Sequence, residues 1–339
     1  MRKFILGGFF PSGLGEVRLL LVKRRRFCEM SAMPFKTRIF LFSGLLASAA
    51  ASCFCQVGPG GASMLGEVAP KWHLGVTAEA SATASLKSDL GRDMAGSLGV
   101  YGADASVKFQ GAYDMRHFVT ASFNYGWRHF DFSEGGPFEN ADRVSAFLFY
   151  TGKVSGPWSV VAFSNFSFGA SSDGSLWGGR SFMGGIGASY RFGESLTAGF
   201  GGAAYSRVDN TWIGIPVAFV DWKITGRLTL RTFSGAVLLY DLFGDDSLVL
   251  SAAFEYKNDY YRLAPAAGAS GASVRRSVSD SFFQFSVGAT YRPFARAYVS
   301  AFVGADFDRT LKFRSGGASA EEADADAAPV FSLNAGWNF

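Results

Sequence analysis

The sequence predicts an all-β chain, a transmembrane antiparallel β-barrel of 12–14 strands. Three observations carry that expectation. Long segments alternate apolar and polar residues at period two. The composition is apolar, yet outside the N-terminal leader no run of ~18 uninterrupted apolar residues exists to form a spanning helix. The connections between segments alternate between tight turns and longer polar loops. Of 339 residues, 48% are hydrophobic, 16% aromatic and only 18% charged, with a mean hydropathy of +0.14. A chain can be this apolar without a spanning helix when it crosses the bilayer as strands.

The leader comes first. Lys36 and Arg38 precede the apolar stretch Ile39 to Ala51, which ends in small residues, so residues 30–55 read as a secretory signal peptide. Met30 and Met33 are candidate starts, which leaves residues 1–29, with Lys23-Arg24-Arg25-Arg26, as an upstream extension. All three cysteines, Cys28, Cys53 and Cys55, precede Gln56. Cleavage near Cys55 gives a mature chain without disulfide or thiol chemistry. Lipidation at Cys53 is the alternative, and Ala50 stands where a lipoprotein signal usually carries Leu.

Residues 1–55 hold nine Lys and Arg against two Asp and Glu, so the remainder carries 23 basic and 26 acidic residues. The net charge moves from +4 for the whole chain to −3, and the apparent basicity belongs to the leader. A nucleic-acid partner is therefore not expected.

Residues 56–70 form a short Gly/Pro-rich lead, and 71–339 read as one barrel. In the first strand Leu74, Val76, Ala78, Ala80, Ala82, Ala84 and Leu86 share one face, while His73, Thr77, Glu79, Ser81, Thr83, Ser85 and Lys87 share the other. Alternation this long fits a tilted membrane strand better than the ~5–6-residue strand of a soluble sheet. Ala103, Ala105, Val107 and Phe109 alternate with Asp104, Ser106, Lys108 and Gln110. Ala121, Phe123, Tyr125 and Trp127 alternate with Ser122, Asn124 and Arg128, and Leu248, Leu250, Ala252, Phe254 and Tyr256 alternate with Ser251, Glu255 and Lys257.

Tight turns are expected at 113–115, 155–157, 193–194, 225–227, 258–259 and 292–295, and longer loops near 88–95, 132–141, 171–179, 207–211, 241–247, 266–279 and 311–328. Seven loops and six turns make fourteen strands. The weakest is the short strand near Tyr260 to Ala264, and without it the count falls to twelve. Six of the seven tryptophans, Trp72, Trp127, Trp158, Trp212, Trp222 and Trp337, lie near expected strand ends, where an amphipathic ring suits the membrane–water boundary; Trp177 is the exception.

The last strand alternates Phe331, Leu333, Ala335, Trp337 and Phe339, and Phe339 is the final residue of the sequence. Over these ten or so residues the ending resembles that of bacterial outer-membrane barrels of the porin-like kind, which their assembly machinery recognises through such a terminal aromatic. The stretch from Trp212 to Leu239 loosely resembles a hairpin of uncharacterised barrels of that membrane. The resemblance implies an outer-membrane location, outer-membrane lipid and the assembly machinery as partners, and Trp337 and Phe339 as the assembly signal; it carries over no active site.

No residue pattern in the chain has the spacing of a catalytic or metal site. The three histidines, His73, His117 and His129, do not cluster with metal-ligand spacing. His129, Asp131 and Ser133 lie on one strand end, whereas triad members converge from different segments. The glycines at 184–187 are not followed by the Lys-Ser/Thr of a phosphate loop. The acidic run from Glu321 to Asp326 lacks the regular spacing of a calcium loop and reads as a solvated surface. No enzyme, cofactor or metal is expected.

The informative constellation is dispersed. Glu79, Asp104, Lys108, Arg128, Asp221, Lys223, Arg231, Glu255 and Asp306 all fall on the polar parity. A charge on the lipid face costs ~2–4 kcal/mol near the midplane, so parity assigns these nine to the lumen. The leading expectation is a channel for passive or ligand-guided passage of small solutes through a polar lumen, or of hydrophobic solutes should the lumen carry an apolar patch. The alternative is a closed structural or host-facing barrel whose loops 132–141, 266–279 and 311–328, with Arg275 and Arg276, bind partners. A soluble β-protein is a third reading, and it requires a polar exterior.

Overall fold

The computed structural model describes residues 72–206, 212–233, 235–267, 273–315 and 321–339. The expected signal peptide at 30–55, the expected extension before it and the 56–70 lead lie outside the described residues.

The strands are β1 (Trp72–Arg92), β2 (Ser97–Tyr113), β3 (His117–Phe132), β4 (Asn140–Ser155), β5 (Trp158–Ser171), β6 (Arg180–Phe192), β7 (Leu196–Ser206) and β8 (Trp212–Lys223). They continue as β9 (Leu228–Thr232), β10 (Gly235–Asp241), β11 (Leu248–Ala267), β12 (Ser273–Phe294), β13 (Ala297–Ser315), β14 (Glu321–Ala325) and β15 (Ala328–Asn338). From β1 to β13 each pairs antiparallel with its sequence neighbours, and β14 and β15 each pair with both β13 and β1. Because β14 and β15 both run between β1 and β13, they are one stave interrupted at residues 326–327. The sheet thus closes as a barrel of fourteen staves, the upper end of the expected range.

Two of the expected boundaries are corrected. No turn occurs at Asn258-Asp259: β11 runs without a break from Leu248 to Ala267, and the doubtful strand near Tyr260 is its upper end. The chain instead reverses between the end of β9 at Thr232 and the start of β10 at Gly235. The segment 242–247 consequently lies at the end of the barrel that holds the tight turns, not among the outer loops. Loops 266–279 and 311–328 also shrink, because β12 starts at Ser273, β13 reaches Ser315 and Glu321–Ala325 is strand.

The outward parity is apolar over the whole circumference. Leu74, Phe109, Phe123, Leu148, Phe166, Ile186, Phe200, Leu250, Phe254, Phe285, Phe331 and Leu333 are all exposed, Leu74 at 79% and Phe200 at 67%. Burying one such side chain is worth about 1.5–3 kcal/mol, so a belt of them is untenable in water and fits a hydrocarbon surround. This is the reverse of a soluble sheet and excludes the third reading. Trp158, Trp212, Trp222 and Trp337 project from the margins of the belt, and each is partly exposed.

The staves differ greatly in length. β1 and β11 to β13 have 19 to 22 residues, whereas β9 has 5 and β10 has 7, below the ~9–11 that cross a bilayer. Above this short hairpin β11 turns inward and meets β5 directly, Arg262 opposite Ala170 in a parallel bridge. Glycine makes the contact feasible. A Cβ on Gly169 would lie 2.2 Å from the Tyr260 carbonyl oxygen, and one on Gly174 would lie 2.2 Å from that of Arg262. The wall is therefore a full ring at the turn end and a narrower one, without β6 to β10, at the loop end.

Candidate functional site: the lumen

The narrow ring is filled. Leu98, Val100, Phe130, Phe138, Ala141, Tyr261, Leu263, Val278, Leu311, Phe313 and Ala323 form one buried apolar cluster, with Leu90, Met94 and Phe132 packed against it. Phe138 comes from the β3–β4 loop and packs on Phe130 at a ring separation of 4.7 Å. Apart from Phe138 and from Met94 of the β1–β2 loop, these residues lie on the inward faces of the staves, so the outer mouth is filled mainly by side chains of the wall itself. The expectation of a polar lumen fails at this level.

Beneath the seal lies a layer of ion pairs. Arg309 donates to both carboxylate oxygens of Asp280, at 2.9 and 2.5 Å, and stands 3.7 Å from Asp306; all three are buried. The Arg309 guanidinium also lies over the Phe282 ring, 4.6 Å from its centre. Lys257 donates to Gln284 at 2.7 Å, and Gln284 donates to Asp306 at 2.7 Å. Arg128 pairs with Asp104 at 2.8 Å, and Ser81 donates to the same carboxylate. Arg143 on β4 pairs with Asp259 on β11, which ties β11 across the top of the missing wall. Arg262 adds a bond to the Gly178 carbonyl at 3.1 Å, in the short 3-10 turn Leu176–Gly179 after β5.

The nine charges assigned from sequence fall within this arrangement as follows. Asp104, Arg128 and Asp306 belong to the ion-pair layer. Glu79 accepts from the Tyr298 hydroxyl, and Lys108 is buried on the neighbouring strand β2. Glu255 stands 3.7 Å from Lys257. Asp221 and Arg231 face each other at 3.5 Å across β8 and β9, close enough to attract but without hydrogen-bond geometry. Lys223 ends β8 at the turn end, opposite Thr229. Sequence reasoning missed Arg143, Asp259, Asp280 and Arg309. Asp259 was hidden by the false turn, and Asp280 by the overlong loop before it.

Below the ion pairs the wall has two characters. The arc β1 to β3 and β12 to β15 presents Thr77, Ser106, Ser122, Thr290 and Ser300, all buried. The arc β4 to β10 presents rings. Phe233, at the tip of the short hairpin, packs on Phe149 of β4, Phe163 of β5 and Phe219 of β8 at ring separations of 6.0, 5.3 and 5.6 Å. Val161 and Val237 are buried on the same arc.

The other sequence candidates disperse. His129 is held by Asn140 at 3.1 Å and lies between the Tyr101 and Trp127 rings, Asp131 pairs with Lys87 at 3.0 Å, and the Ser133 hydroxyl accepts from the Ser97 amide. Glu322 and Asp324 of the acidic run are bound by Arg92, and Lys312 donates to Glu322 at 2.8 Å. At this outer rim the hydrogen bond from Lys312 holds the Glu322 carboxyl below its ordinary range. Its contribution to the rim is present at neutral pH and is lost as acidification protonates it. Among the described residues no group of carboxylates, His and Cys is placed to hold a metal.

No family model and no curated sequence matches the chain. Solved structures similar to it include a mutant of TodX, a monoaromatic hydrocarbon channel, at 7% identity and TM-score 0.43, over 80% of this chain and 91% of that one. Another is an outer-membrane channel from Pseudomonas putida F1, at 10% identity and TM-score 0.39, over 84% and 100%. The translocator domain of autotransporter NalP from Neisseria meningitidis follows at 11% identity and TM-score 0.37, over 90% and 97%. The architecture rests on the chain's own strand register and exterior: a closed antiparallel β-barrel of the outer-membrane type, with a sealed outer mouth.

Proposed function

We propose that the chain is an outer-membrane channel for small solutes, gated at its outer mouth. The observation that carries this reading is the change of section along the axis. A fourteen-stave ring, polar on one arc and aromatic on the other, lies toward the turn end beneath a narrower ring filled by the apolar cluster. A barrel serving only as a scaffold for loops needs no such two-sided wall. The test is uptake by cells that lack their own general porins and express the full chain, using a monosaccharide and naphthalene as polar and apolar probes. Faster uptake of at least one probe than in cells without the protein is expected. No acceleration of either would remove the channel reading. It would leave the closed surface barrel, which the filled mouth and the ion pairs beneath it favour.

The assembly reading is also ours. The Phe339 ring is 69% exposed on the outward face, while its amide donates to the Val76 carbonyl at 2.9 Å. Phe339→Ser keeps that backbone bond and removes a ring that packs little inside the barrel. The variant should refold in detergent as well as the parent, yet reach the membrane of living cells in smaller folded amounts, scored by heat-modifiable migration on a gel. Equal folded amounts in cells would show that the ring is not read.

A further inference from the structure

Among the described residues the wall of the barrel has a gap at membrane depth. Strand β8 runs from Trp212 to Lys223, but β9 pairs only with Val220 to Lys223, so the edge 212–219 has no strand beside it among the described residues. At ~3.3 Å per residue that edge is roughly 25 Å long. On the far side, pairing of β10 with β11 stops at Gly235 opposite Glu255, and β11 has no further neighbour on that side until it meets β5 at Arg262. The sill of the gap is the tip of the short hairpin, where Phe233 sits among Phe149, Phe163 and Phe219.

The height of the gap follows from β8 itself. Its outward residues are Trp212, Gly214, Pro216, Ala218, Val220 and Trp222, an apolar run bracketed by the two rings that mark the interfaces. Its free edge therefore lies within the hydrocarbon layer. Unpaired strand edges are not tolerated against lipid and persist only where they line a cavity. Pro216 agrees, since proline lacks the amide a ladder needs and is confined to edge strands.

We infer that the gap between the free edge of β8 and β11 is a side portal between lumen and bilayer, and that its cargo is small apolar molecules. This deepens the channel reading and rests on it. With the outer mouth filled by the apolar cluster, the described wall leaves one lateral route at this level. The route passes over aromatic rings and ends in hydrocarbon, which a polar solute does not enter.

The test is naphthalene uptake by porin-deficient cells expressing the full chain. Val217 and Ile215 stand on the inward parity of the free edge, Ile215 being 40% exposed. Val217→Trp and Ile215→Trp should each cut naphthalene uptake several-fold. Ile186→Trp, which adds the same bulk on the lipid face of β6, should leave uptake unchanged. Folding is checked by heat-modifiable migration, and Ile215→Phe, a smaller addition, replaces any tryptophan variant that fails it. Folded edge variants that take up naphthalene as fast as the parent would overturn the portal while leaving the channel reading in place. Uptake lost equally in Ile186→Trp would also overturn it, by tracing the effect to bulk anywhere on the wall. A parent chain that accelerates neither naphthalene nor a monosaccharide would remove the channel reading and the portal with it.

Discussion

Arg309→Met should destabilise the barrel by about 3–5 kcal/mol, the largest loss expected of any single substitution in the lumen. The guanidinium is the cation for two buried carboxylates, Asp280 and Asp306, and 5% of its own surface is exposed. Methionine keeps most of the volume and removes the charge, so the cost comes from leaving two carboxylates uncompensated in a dry site. Protonation or an admitted water would recover part of it. The double variant Arg309→Met with Asp280→Leu should regain much of the loss, because it removes one stranded charge together with its partner. Urea unfolding of detergent-refolded protein, followed by tryptophan fluorescence, measures both. A loss below about 1 kcal/mol for the single variant would mean that the triad is solvated and not part of a dry seal.

Gly169→Val should open the mouth. A Cβ at this position meets the Tyr260 carbonyl oxygen at 2.2 Å, and that oxygen belongs to backbone, which cannot rotate away. The β5–β11 contact must part, and the Arg143–Asp259 pair, which spans the same seam, should lengthen with it. Overpacking of this kind costs about 1–3 kcal/mol, so the barrel should still fold, with the apolar cluster loosened on one side. In planar bilayers the parent should show little steady ion current, and Gly169→Val should show discrete open steps. Equal conductance in the two proteins, both heat-modifiable, would mean that the β5–β11 seam is not the barrier to ions.

Much of this was legible in the chain. Alternation of residues such as Leu74 to Leu86 against His73 to Lys87 reports strand and face at once, because side chains on a strand have a strict period of two. It gave the barrel class and put Asp104, Arg128 and Asp306 on the polar parity, but it did not single out Arg143, Asp259, Asp280 or Arg309. The count of fourteen was right while two of its boundaries were wrong, and the reason is instructive. Thr232 pairs with Ala236, so three positions separate the paired residues and the phase is kept: outward residues Leu228, Leu230 and Thr232 are followed by Ala236, Leu238 and Tyr240. The phase is equally intact through Tyr256, Asn258 and Tyr260, where Asn-Asp has turn chemistry but the strand continues. Periodicity cannot tell a reversal that pairs residues four apart from a strand that simply continues.

Local alternation was enough to give a barrel with apolar residues outward, since that pattern depends only on near neighbours along the strand. Tertiary structure alone decided which charges meet, such as Arg143 with Asp259, 116 positions apart, and that β11 leaves the wall to join β5. It also decided that the short hairpin stops below β8. These depend on the relative heights and closure of staves far apart in sequence. That geometry is set by register and shear around the whole ring, which no local pattern encodes.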